Sequence, residues 1–91
     1  MSKKIKIKAN NEDLKGSYSN LVRVSNQKEE FVLDFLMAAG KSGVLSSRII
    51  VSPNHLKRIV KTLQNSVEKY EDQFGDIEES KGEEKKIGFV K

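Results

Sequence analysis

Phe31-Val-Leu-Asp-Phe-Leu-Met-Ala38, then Gly40-Lys-Ser-Gly43, Val44-Leu-Ser-Ser-Arg-Ile-Ile-Val51 and Ser52-Pro53, is the stretch that decides the fold. Between Glu30 and Ala38, Phe31, Leu33, Phe35 and Met37 alternate with Val32, Asp34 and Leu36, so both faces of the run are largely apolar. This is the pattern of a central strand, or of one that meets a partner subunit. Gly40 to Gly43 reads as a turn. Val44 to Val51 reads as the next strand, with Leu45, Ile49 and Val51 opposite Ser46, Arg48 and Ile50. Upstream, Tyr18 to Ser25 sets Tyr18, Val22 and Val24 against Ser19, Arg23 and Ser25, and Asn26 to Lys28 supplies a turn. Connections this short join antiparallel strands, because parallel ones need a crossover.

Downstream, Ser52-Pro53 marks the start of a helix, with serine favoured at the N-cap and proline at the first helical position. Leu56, Ile59, Val60, Leu63, Val67, Tyr70 and Phe74 then recur at intervals of three and four, with Lys57, Lys61, Gln64, Glu68 and Asp72 on the other side. Gly75 is placed to end the helix, with Ile77 near the hydrophobic contact of a Schellman motif. A helix from Pro53 to Phe74 spans about 33 Å at roughly 1.5 Å per residue. Eight-residue strands reach about 26 Å at roughly 3.3 Å each. The aromatic end, Tyr70 and Phe74, therefore overreaches a small sheet and suggests a second subunit.

The 91 residues suffice for one domain, at a size where a single core is marginal without disulfides, metals or self-association. Cysteine is absent, which excludes disulfides, thiolate metal sites and a cysteine nucleophile, and His55 as the sole histidine argues against a multi-histidine metal centre. We expect no metal and no cofactor. The lysines near Met1 are not followed by an apolar run, and no stretch approaches the roughly 20 apolar residues of a membrane span, so the expected location is the cytoplasm. The 17 Lys and Arg against 13 Asp and Glu leave +4, too small by itself to demand a nucleic-acid partner. The charge is polarised: acids after Asp34 begin only at Glu68. Residues 78–91 read as a charged, disordered tail ending in Ile87-Gly-Phe-Val-Lys91, and residues 1–17 as an arm or edge strand leading through a polar loop.

No motif carries catalysis. Gly40-Lys41-Ser42 resembles the end of a phosphate-binding loop, but Phe35 stands where its first glycine belongs and a β-type run follows, so a hairpin turn is the better reading. His55 lies in the first helical turn as a capping or packing residue, and no spacing links it to a nucleophile. Arg48, Lys57, Arg58 and Lys61 are candidates for a basic patch at the helix start, joined by His55 and flanked by Arg23 and Lys41. Phe31, Phe35, Tyr70 and Phe74 fit the apolar pattern of a core or partner contact rather than a base-stacking platform. Asp34, mid-strand among apolar neighbours, needs a partner if buried, and Arg48 lies opposite it if the hairpin is symmetric about Lys41.

Tyr18-Ser-Asn20, Glu30-Phe-Val-Leu-Asp-Phe35, Ser47-Arg-Ile-Ile50, Ser52-Pro-Asn-His-Leu-Lys-Arg58, Tyr70-Glu71 and Phe74-Gly75 form a set. With these, the chain from Tyr18 to Ile77 resembles the family of small prokaryotic proteins called domain of unknown function 3467. The resemblance implies no activity or ligand. The order of a meander followed by a long helix also bears a distant likeness to the export chaperone SecB, and fold alone does not assign function.

The expected architecture is α+β: a three- or four-stranded antiparallel meander followed by one long amphipathic helix packed on the sheet, with the compact part over residues 18–77. The expected function is a non-enzymatic protein-interaction module, chaperone-like in its sharper form, acting as a homodimer or larger homo-oligomer. A nucleic-acid-binding accessory protein using the basic patch is the alternative, and no membrane partner is expected.

Overall fold

The computed structural model describes residues 4–79 and 87–90. Its elements run α1 (Asn11–Lys15), β1 (Leu21–Asn26), β2 (Phe31–Ala39), β3 (Ser42–Val51) and α2 (Pro53–Phe74). The strands form one antiparallel sheet in the order β1-β2-β3, so the meander has three strands and the longest apolar run is its central one. The chain divides into two compact units, Met1–Arg58 and Ile59–Lys91, the first holding the sheet and the second most of α2.

No strand forms over residues 4–17. Lys4 to Asn10 lies outside regular structure, and the expected polar loop holds the single turn α1. The cause is local. Asn10 accepts a hydrogen bond from the Asp13 N–H at 2.8 Å and its own N–H donates to the Asp13 carboxylate at 3.2 Å, a capping box with aspartate in the third helical position. Of the polar tail, residues 80–86 and 91 lie outside the described residues, as do residues 1–3 of the arm.

The β2–β3 hairpin turns through Gly40-Lys41, with Ala39 opposite Ser42. Gly40 has φ 60°, as the first central position of a II′ turn requires, whereas no non-glycine residue among those described has positive φ. The register then shifts once. Phe35 faces Ser47 but Leu36 faces Leu45, so Ser46 is an extra residue on β3, a β-bulge, and its hydroxyl donates to the Tyr18 carbonyl at 2.9 Å. The bulge corrects the face expected for Leu45. It shares the Arg48 side of the sheet, while Ser47, Ile49 and Val51 share the other.

Ahead of β1, Asn20 behaves as an added ladder rung. Its side-chain N–H donates to the Ala38 carbonyl at 2.8 Å and its side-chain oxygen accepts from the Ala38 N–H at 2.9 Å. The Ser19 hydroxyl donates to the Leu36 carbonyl at 2.9 Å, so this polar pair ties the entry of β1 to the end of β2.

The helix has the limits its end signals prescribe. Ser52 accepts the His55 N–H on its hydroxyl at 3.2 Å and the Leu56 N–H on its carbonyl at 3.0 Å. At the other end, the N–H of Gly75, at φ 95°, donates to the Glu71 carbonyl at 2.8 Å. That single bond is the simpler αL cap rather than the Schellman form. The Ile77 N–H donates instead to the Glu71 carboxylate at 2.8 Å. Substituting Gly75→Ala places a Cβ in the left-handed region, with an expected cost of about 1 kcal/mol. Urea denaturation at fixed protein concentration checks it, and an unchanged midpoint would mean the cap contributes nothing.

Candidate functional site

The only buried polar residue among those described is Asp34, 3% exposed in the middle of β2. The pairing sets Arg23 of β1 and Arg48 of β3 on either side of it, in a row across the sheet on one face. Arg48 grips the carboxylate with two bonds, Nε to Oδ1 at 2.6 Å and Nη2 to Oδ2 at 3.0 Å, the bidentate geometry that suits a guanidinium. These hydrogen bonds hold the Asp34 carboxyl below the usual aspartate range against the opposing effect of burial, and the charges of Arg48 and Arg23 add to the lowering. The same pairing raises the Arg48 guanidinium above its ordinary value. Arg48 is thus a clamp on a buried charge, with its own side chain still about half exposed at the sheet surface.

The remaining candidates of that patch sit on α2. His55, Lys57, Arg58 and Lys61 occupy its first turns and are exposed. Arg58 donates to the Asn54 side-chain oxygen at 2.8 Å, one turn earlier. His55 contributes its backbone N–H to the Ser52 cap. The helix gathers these cations along its basic half, and Glu68, Glu71 and Asp72 follow along its other half.

The apolar candidates divide between the sheet and the helix. Phe31 and Phe35 are half-buried on the β2 face opposite Asp34, beside Val22, Val24, Val44 and Ile49, all exposed. On the Asp34 face, Leu45 and Ile50 are exposed as well. Only Leu33, Leu36 and Val51 are buried hydrophobics among the described residues. The helix buries none of its residues, and Val60, Leu63, Val67, Tyr70 and Phe74 are exposed, Phe74 to 66%. Within its own unit the helix thus presents these side chains as exposed apolar surface. Val60, Leu63 and Val67 line a shallow apolar depression with Gln64 and Glu68. Tyr70 and Phe74, one turn apart, stack at a tilt of 47° with ring centroids 5.0 Å apart.

Periodicity identified the helix stripe as the side that seeks cover. What it does not encode is whether the cover comes from the same chain, and the openness of Val22, Val24 and Val44 was missed for that reason. The structural use of Ser19, Asn20 and Ser46 was also missed, since a polar residue at a strand end gives no sign of its partner.

The family model described as protein of unknown function (DUF3467) matches residues 1–79. The chain belongs to this family. The match reaches beyond the Tyr18 to Ile77 stretch that carries the resemblance and takes in the arm and α1. No curated protein and no solved structure matches the chain. The likeness to SecB accordingly rests on the order of elements alone. Several residues of the DUF3467 resemblance have structural uses here: Asn20 extends the ladder, Asp34 and Arg48 form the clamp, and Gly75 caps the helix.

The clamp links the protonation of Asp34 to the stability of the fold. The folded pKa of Asp34 lies below its unfolded value, so its contribution to stability is complete above the ordinary aspartate range, about 3.9, and is lost as pH falls through the lowered value. Asp34→Asn is expected to lower the denaturation midpoint near neutrality and to flatten its fall in acid. Parallel acid limbs for the two proteins would show that the carboxylate is not coupled to folding. Asp34→Ala is expected to lower the melting temperature well beyond Glu12→Ala, and equal values would mean that the pair is dispensable.

Proposed function

We propose that this member of the DUF3467 family is a non-enzymatic protein-interaction module that works as a homo-oligomer. The observation that carries this reading is the open apolar side of α2, five exposed large hydrophobics from Val60 to Phe74 on one helix with no buried residue. Contiguous exposed apolar surface of this kind marks interaction sites. The sheet supports the same reading, since large hydrophobics on both its faces are exposed and a chain of this size cannot be generous with its core. Capture of extended or unfolded polypeptide is the sharper form, because apolar surface lacking a fixed polar pattern discriminates little between partners.

The non-enzymatic part of the proposal draws on how candidate groups are used. The Ser52 hydroxyl accepts from the His55 backbone, and the Asp34 carboxylate is held by Arg48. Among the described residues no group of three or more His, Cys, Asp or Glu could hold a metal ion, and no helix is long and apolar enough to cross a membrane.

Nucleic-acid binding is the second reading, favoured by the exposed run of His55, Lys57, Arg58 and Lys61 at the start of α2. The two readings separate on salt. A complex with an unfolded polypeptide that persists between 50 and 200 mM salt is expected on the first, whereas binding carried by phosphate contacts weakens steeply over that range. Light scattering across micromolar concentrations is expected to give a multiple of the 10.3 kDa chain mass, and a monomeric mass throughout would remove the homo-oligomer.

A further inference from the structure

Along α2, the half-buried Leu56 and the exposed Val60, Leu63, Val67, Tyr70 and Phe74 are separated by four, three, four, three and four residues. That is a heptad repeat, with β-branched valine recurring at one core position and leucine at the other. A stripe of this type is matched by a second helix of the same spacing, and α2 of another copy supplies one. We infer that the chain dimerises through α2 packed antiparallel on α2 of a second copy. The inference rests on the homo-oligomer reading above and gives it a geometry.

The antiparallel sense follows from charge. Lys57, Arg58 and Lys61 lie at the start of α2, and Glu68, Glu71 and Asp72 lie toward its end. Parallel helices would set the cationic starts side by side and the anionic ends side by side. Antiparallel helices bring each start against the other's end. The register is also defined, because a two-fold axis level with Asn65 pairs every stripe residue with an apolar partner. Leu56 meets Phe74 of the second copy, Val60 meets Tyr70, and Leu63 meets Val67, each pair occurring twice.

With the same axis, the residues that border the stripe are complementary. Lys57 and Glu71 sit on one border with Gln64 between them, two helical turns from each. Across the axis Lys57 faces Glu71 of the second copy, and Gln64 faces its own equivalent. Lys57 and Glu71 are four turns apart on one helix, about 21 Å, so they cannot pair within it. The bond that the Glu71 carboxylate accepts from the Ile77 N–H orients the group and uses Oε2. On the other border Ser66 faces Ser66 of the second copy.

The native chain has no cysteine, so introduced thiols report proximity without background. In the full-length protein, Ser66→Cys is expected to cross-link to itself with a short bismaleimide, whereas Asn65→Cys, level with the axis but pointing away from it, is not. Lys57→Glu and Glu71→Lys are each expected to weaken the dimer on the order of tenfold by making two like-charge contacts, and the double charge swap is expected to restore most of the affinity. Rescue separates trans pairing from loss of the Ile77 bond, which the swap does not repair. An oligomeric mass with neither Ser66→Cys cross-linking nor rescue would overturn the helix pairing and leave the homo-oligomer reading standing. A monomeric mass for the native chain would overturn both.

Discussion

A carboxylate sits inside the central strand, and the sheet is arranged so that it is never left alone. Asp34 is nearly sealed from water, and an ionised group in that position is tolerated only with a partner that satisfies both oxygens. Arg48 does so, from directly across the ladder, and Arg23 stands at the same level on the other side. A slip of one residue in either pairing would send the arginine to the opposite face, because side chains alternate along a strand. The buried ion pair is therefore satisfied in this register and not in one slipped by a residue.

Fixing the register also fixes what each face displays. The face away from Asp34 carries Phe31, Phe35, Val22, Val24, Val44 and Ile49, and the Asp34 face adds Leu45 and Ile50 around the charged row. A sheet of three strands cannot hide apolar groups on both sides by curling. The helix adds a third apolar surface of its own. The chain invests its order in backbone pairing and caps, and leaves most of its large hydrophobic groups exposed.

The elements whose signals are local were legible in the residues. Ser52, Pro53 and Gly75 bracket α2 because caps answer to nearby backbone groups. The pairing of Asp34 with Arg48 was also legible, but its premise of a hairpin centred on Lys41 holds only around the pair. The turn is centred between Gly40 and Lys41, which in a straight ladder would bring Ser47 opposite Asp34, and the bulge at Ser46 restores Arg48. The turn α1 could have been found from Asn10 and Asp13, whose side chains reach each other's backbone, yet aspartate in place of glutamate makes a weak signature. The sequence counts Arg48 among the cations near the helix start, and only the structure shows that it also holds Asp34.

The extra residue at Ser46 gives the hairpin slack. A chain one residue shorter between Lys41 and Arg48 could straighten β3 and still deliver its guanidinium to the same carboxylate, exchanging the pleat of the few positions nearest the turn. The clamp can thereby absorb the loss of one residue on this side of the hairpin, with the strand alignment beyond the bulge left in place.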